Sequence, residues 1–290
     1  MQIKQFSSTA KKFSMLQSLA IAVQSGARSD IDAALSALAT NPAFQTIGWQ
    51  ANFAKLAHVF ATGEACYSVF ALSGNEKLGK TIVAFSSLPG VTCPGAGDCL
   101  IFCYSFRAWR YPAAFARMVQ NAFLMRFAKH TILSAFQTLP HGADFRLYVD
   151  GDFAHGGDVA FWMQTLITRP DINAYGYSKS FAALLGYDAM GGQWPKNYML
   201  NISSGHNASA AMVKYVRALP ITRGEFIAVS IGKKVKGSDH GTPETNKALR
   251  AAVGATKIFP CPGACGKCTG KGHACGLTAL KGITIAIAIH

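Results

Sequence analysis

Beyond residue 64 the chain alternates short runs rich in β-branched and aromatic residues with stretches whose apolar residues recur at helical spacing. That rhythm confines the fold, because strands separated by helices pair in parallel through right-handed crossovers. Residues 81–86, 145–149, 172–177, 198–202, 226–231 and 283–289 read as strands, and residues 66–72 as one more, joined to 81–86 by a polar turn. Helices are expected over 112–139, 159–168, 181–185, 208–218 and 245–253. The expected fold class is α/β: a partial (β/α)6 barrel of mainly parallel strands with an N-terminal helical region, an open doubly wound sheet being the alternative.

Residues 1–63 read as an N-terminal helical cap. Phe13, Leu16, Leu19, Ala20 and Val23 share one helical face, Ser25-Gly26 stops that helix, and Ser29 or Asp30 opens a second before Ile31, Ala34, Leu35 and Leu38. Residues 64–290 then form the barrel. With 290 residues, half of them hydrophobic, the chain can bury one large core, and its composition excludes disorder. No apolar run is long enough to span a membrane. Lys4, Lys11 and Lys12 precede an apolar stretch, but Gln17 and Ser18 interrupt it and no small-residue cleavage site follows, so an amphipathic helix and a cytoplasmic location are expected. The formal charge of +14, from 28 basic and 14 acidic residues, favours a polyanionic partner such as nucleic acid.

Seven of the eight cysteines fall in two tight groups, Cys93, Cys99 and Cys103, and Cys261, Cys265, Cys268 and Cys275, each set among glycines and prolines. Thiolates bind soft or borderline metals, and such loops let a backbone fold round a metal or an iron-sulfur core. In a reducing compartment these spacings indicate ligands rather than disulfides. Cys66 stands alone and reads as a core thiol.

Gly74-Asn75-Glu76-Lys77-Leu78-Gly79-Lys80-Thr81 satisfies the phosphate-loop pattern to the letter, and Leu147-Tyr148-Val149-Asp150 imitates its magnesium-holding companion. A phosphate loop must open a helix, whose first N–H groups point at the phosphates. Here Ile82-Val83-Ala84-Phe85 and then Leu88-Pro89-Gly90 read as a strand stopped by a turn, which disfavours a P-loop NTPase.

The first cysteine loop follows the strand 81–86 and precedes a long helix. With its Leu88-Pro89, Cys93-Pro94, Cys99 and Cys103-Tyr104, with Gly74-Asn75, Lys77-Leu78, Gly151-Asp152-Phe153 and Tyr175-Gly176-Tyr177-Ser178-Lys179-Ser180, and with the late cysteines, the chain resembles the gene product 88 family of phages and plasmids. The resemblance covers roughly residues 66–290. More distantly, the position of the three cysteines resembles the radical S-adenosylmethionine superfamily, in which three thiolates in the loop after the first strand hold a [4Fe-4S] cluster and leave one iron open to the methionyl amine and carboxylate. The superfamily spacing is Cys-x3-Cys-x2-Cys, whereas this chain has Cys-x5-Cys-x3-Cys, and Asp150-Gly151-Asp152 stands where a glycine-rich strand end is usual.

That likeness implies Asp150, Gly151 and Asp152 as cofactor-binding positions, and the catalytic end of a parallel barrel adds Ser178, Lys179, Asn201, Ser203 and Ser230 by topology, with Asp152 and Lys179 as catalytic candidates. Asp152 could equally cap the following turn, and Asp150, Asp152, His155 and Asp158 could hold a hard divalent cation. The second loop supplies four thiolates, which suit a saturated second iron-sulfur cluster or a structural zinc site, the latter with four cysteines or three plus His273. Both loops could also share one cofactor. Tyr104, Phe106, Trp109 and Tyr111 interleave with Arg107 and Arg110 as single-stranded nucleic acid would require, and Lys233, Lys234 and Lys236 form a basic loop. Core packing accounts for at least half of those aromatics.

Two functions are therefore expected: an iron-sulfur protein of a mobile element, radical-enzyme-like, acting on nucleic acid with S-adenosylmethionine; or an iron-sulfur or zinc protein that binds nucleic acid without chemistry.

Overall fold

The computed structural model describes residues 10–72, 82–233, 235–254, 257–265, 268 and 273–289. The phosphate-loop-like stretch 74–81 and Lys234 lie outside them, but the residues that follow the stretch form a strand and not a helix.

Three helices come first, α1 (Ala10–Ser25), α2 (Arg28–Thr40) and α3 (Ile47–Thr62). Gly26, at φ +81°, ends the first where the sequence places its stop. Then β1 (Ile82–Ala84), α4 (Pro112–Phe127), α5 (Lys129–Gln137), β2 (Asp144–Leu147), α6 (Gly156–Ile167), β3 (Asn173–Ser178), α7 (Phe181–Ala189), β4 (Tyr198–Ser203), α8 (Ala210–Ala218), β5 (Thr222–Val229), α9 (Pro243–Val253), β6 (Ile258–Pro260) and β7 (Thr284–Ala288) follow. The strands form one sheet in the order β1-β2-β3-β4-β5-β7-β6, every neighbouring pair parallel. The α/β expectation holds, with seven strands among the described residues instead of six.

Strand alternation gives the sheet two faces. Val83, Phe145, Leu147, Ala174, Leu200 and Ile202 join the main core, which α1–α3 share with the flanking helices and which centres on Phe70, Phe85, Phe136, Phe145 and Trp162. The intervening residues Arg146, Tyr175, Tyr177, Asn201, Ser203, Arg223, Phe226 and Ile285 face the other way, toward what we call the inner face. There Ile82 of one edge strand and Phe259 of the other belong to a single cluster with Tyr175 and Cys275, as a curled sheet requires.

Three expectations change. Residues 66–72 are not a strand: the Gln120 amide accepts the Cys66 and Tyr67 N–H groups (2.8 and 2.9 Å), and Asn121 Nδ2 donates to Val69 O and Ser86 O. Buried side chains thus satisfy that backbone, and pairing shrinks to one antiparallel bridge, Ala71 with Ala84. The single helix over 112–139 breaks at Ala128 into α4 and α5. β6, only three residues long, has too little pattern to read from sequence. Among the described residues no helix is long and apolar enough to cross a membrane.

Candidate functional site

The loop after β1 is laid across the strand ends by its own backbone. Gly97 and Cys99 N–H donate to Gly205 O beyond β4 (3.0 and 3.3 Å), and Asn207 N–H donates to Gly95 O at 3.1 Å. A Cβ on Gly95 would lie 1.7 Å from Lys179 O, so only glycine allows this approach to the end of β3. Beside it β2 ends in a turn with Tyr148 at φ +56° and Gly151 at φ +79°; the Tyr148 hydroxyl accepts a hydrogen bond from Trp162 Nε1.

Asp152 bridges two strand ends. One oxygen accepts the Phe153 N–H (2.8 Å) and the other the Lys179 N–H (2.7 Å), while Lys179 Nζ donates to Ser203 Oγ at 2.8 Å. Burial raises the pKa of Asp152, against the opposing pull of those hydrogen bonds, and burial raises that of Asp150, whose carboxylate accepts from Ser86 Oγ.

The second loop joins β6 to its parallel neighbour β7 without an α-helix among its described residues, and it crosses the inner face. Cys261 N–H donates to Ala286 O at 2.7 Å, and the 3-10 turn Ala274–Gly276 packs against β3 and β4. Asn201 Nδ2 donates to Gly176 O and to Cys275 O, both at 3.0 Å. Arg223, 1% exposed, gives its NH1 to Leu280 O and Ile283 O (2.9 and 2.8 Å), its NH2 to Glu225 O and its Nε to Asn201 Oδ1. Cys268 Sγ accepts the Ala274 N–H at 3.1 Å.

Between sheet and loops lies a cavity of about 240 Å³, lined by all seven clustered cysteines together with Arg146, Asp152, Tyr175, Tyr177, Lys179, Ser203 and His273. None of the eight cysteines forms a disulfide. Burial pushes the Cys275 thiol up to about 12 and raises those of Cys93 and Cys103. The thiols fall into two groups by their electrostatic neighbours: Cys103 with Cys93 and Cys99, and Cys275 with Cys261 and Cys265. Among the described residues no three His, Cys, Asp or Glu side chains are arranged to hold a metal ion as they stand, so a cluster would draw the thiols closer. The donor set itself suits one: soft sulfur ligands, and a buried guanidinium, Arg146, beside them.

Of the positions anticipated from sequence, Gly151, Asp152, Lys179 and Ser203 line the cavity with the cysteines. Asp150 and Ser178 lie behind its wall, where Ser178 Oγ accepts the Ser180 N–H, and Asn201 is occupied in holding the second loop. Ser230 is exposed and away from it. Asp158 is engaged by Lys129, His155 and the Ala154 N–H, so it does not join Asp150 and Asp152 in a cation site. Phe106 and Trp109 are buried against Phe13, whereas Tyr104, Tyr111, Arg107, Arg110, Lys233 and Lys236 are exposed. Sequence reasoning misses Arg146 and Arg223; the alternation Phe145-Arg146-Leu147 is the signal that a cation faces away from the main core.

No curated protein and no solved structure matches the chain, and the radical S-adenosylmethionine likeness gains no support from these comparisons. The family model described as gene product 88 matches residues 67–281, which take in both cysteine loops and every described strand but the last, β7, and the chain belongs to that family.

Proposed function

We propose that this chain is an iron-sulfur protein holding two clusters, one on Cys93, Cys99 and Cys103 and one on Cys261, Cys265, Cys268 and Cys275. The observation that carries the reading is that seven cysteines from two distant loops, none in a disulfide, line one cavity. Thiols held protonated by burial bind metal with loss of their protons, and the energy of metal binding offsets that cost.

The four-cysteine group saturates its cluster and suits electron transfer. The three-cysteine group would leave one iron without a protein ligand, a position where such a cluster can take the amine and carboxylate of S-adenosylmethionine. The chain's contribution there is Lys179, held by Ser203, and Asp152, all lining the cavity at the strand ends. With a net charge of +14, and with Arg107, Arg110, Lys233 and Lys236 exposed, nucleic acid is the proposed partner, as suits a mobile element. A P-loop NTPase is disfavoured, since a strand follows the pattern.

Anaerobic purification with iron and sulfide quantification tests the reading. About eight irons per chain are expected, falling to about four in Cys99→Ala. Reduced protein is expected to convert S-adenosylmethionine to 5′-deoxyadenosine, and Cys99→Ala is expected to lose that activity. A second reading rests on the four thiols of one short loop: zinc there, with nucleic-acid binding and no turnover. Stoichiometric zinc together with unchanged nucleic-acid affinity in Cys99→Ala would favour it.

A further inference from the structure

Three buried polar atoms of residues on the cavity wall have no hydrogen-bond partner, His273 Nδ1 and two from neighbouring strands of the sheet, Arg146 Nε and Tyr175 Oη. Arg146 and Tyr175 are 9% and 0% exposed. They are neighbours by construction, since Arg146 of β2 and Tyr175 of β3 are register partners on the inner face. Each is held in place. The Arg146 guanidinium lies over the Tyr177 ring, 4.8 Å from its centroid, and the Tyr175 ring is covered by His273 at 4.0 Å. No carboxylate forms an ion pair with Arg146 among the described residues. An unpaired buried donor costs about 1–3 kcal/mol, so Arg146 Nε and the Tyr175 hydroxyl, which lies beside Cys265, are open to an acceptor in the cavity, while the rest of the guanidinium reaches the Tyr104 hydroxyl.

The surroundings identify that acceptor. Cys265 of the second loop is an electrostatic neighbour of both Arg146 and Tyr175, and Arg223 is one of Cys275. The first loop has a more acidic setting: Asp152 neighbours Cys93 and Asp150 neighbours Cys103, with Lys179 and, beside Asp150, Arg146 offsetting them in part. A cluster gains negative charge when it is reduced. Hydrogen-bond donors and cations therefore favour the reduced form, and carboxylates oppose it.

Building on the two-cluster reading, we propose that Arg146 and Tyr175 donate hydrogen bonds to sulfur of the cluster on Cys261, Cys265, Cys268 and Cys275. With Arg223 they hold its potential above that of the cluster on Cys93, Cys99 and Cys103. Electrons supplied by an external one-electron reductant rest on the second cluster, and the first is the harder to reduce.

Potentiometric titration of the anaerobic, iron-loaded chain, followed by electron paramagnetic resonance, tests this. Two midpoints are expected, and Cys99→Ala should remove the lower one. Tyr175→Phe should move the higher midpoint to more negative potential and leave the lower in place, and Arg146→Gln should move the higher midpoint further than the lower. Arg146→Lys, which keeps the charge, should move the higher midpoint less than Arg146→Gln. Should Arg146→Gln fail to fold, Tyr175→Phe, which removes a single oxygen, decides the matter alone. Retained iron with the higher midpoint unmoved in Tyr175→Phe and Arg146→Lys, or a shift confined to the lower midpoint, overturns the proposal and leaves the two-cluster reading standing. A chain without iron removes both.

Discussion

The loop carrying Cys93, Cys99 and Cys103 and the loop carrying Cys261 to Cys275 line the same cavity, yet the fold holds them by different means. The first is fixed main chain to main chain, by Gly95, Gly97 and Cys99 against Lys179, Gly205 and Asn207. The second runs across the inner face and is fixed by two buried side chains, Arg223 and Asn201, gripping its carbonyls. The first can keep its course without metal, at the strand ends where parallel sheets place their chemistry. The second doubles as the wall of the half-barrel, so its order and the closure of the inner face are one property.

The comparison breaks most readily at Arg223. Arg223→Ala strands Asn201 Oδ1 and the Leu280 and Ile283 carbonyls, and should cost about 3–5 kcal/mol in urea unfolding. Hydrogen exchange should rise in residues 273–289 more than in 88–103. Equal loosening of both loops would show that they are not held independently.

Gly95→Ala is the reciprocal test. Its Cβ, 1.7 Å from Lys179 O, must push the first loop off the sheet, at about 1–3 kcal/mol, and should remove the iron of that loop while the second keeps its own. A variant as stable and as iron-rich as the wild type would contradict the account of that loop.

The carboxylates give a smaller, pH-dependent effect. Burial raises Asp152 above its ordinary 3.8, so the folded chain binds this proton more tightly than the unfolded one. The resulting stabilisation is complete below pH 3.8 and is lost as pH rises through the folded value, at about 1.4 kcal/mol for each pH unit that separates the two. In the metal-free protein Asp152→Asn should flatten the slope of stability against pH in that range; an unchanged slope would assign the titration elsewhere. The mildest expectation concerns Lys233→Gln and Lys236→Gln. Each should lower the salt slope of nucleic-acid binding by about one, without touching iron content.

Much of this arrangement is legible in the sequence, because cysteine spacing and the strand-helix rhythm are local signals. Leu88 to Tyr104 can be placed after a strand, and Tyr198 to Ile202 or Phe181 to Leu185 on their elements, from hydropathy alone. What stays hidden depends on partners far away in the chain. Residues 66–72 have a strand's composition, but Gln120 and Asn121 take over their backbone. Arg223, near the start of β5, becomes intelligible only once the Leu280 and Ile283 carbonyls lie against it. Arg146 and Tyr175 become conspicuous only when the second loop roofs the face they share.

Iron and acid-labile sulfide, counted per chain in anaerobically purified protein, test the central claim most directly. About eight of each is the predicted result, half held by either loop. Anaerobically purified protein that carries neither iron nor acid-labile sulfide and has all seven thiols reactive would contradict it.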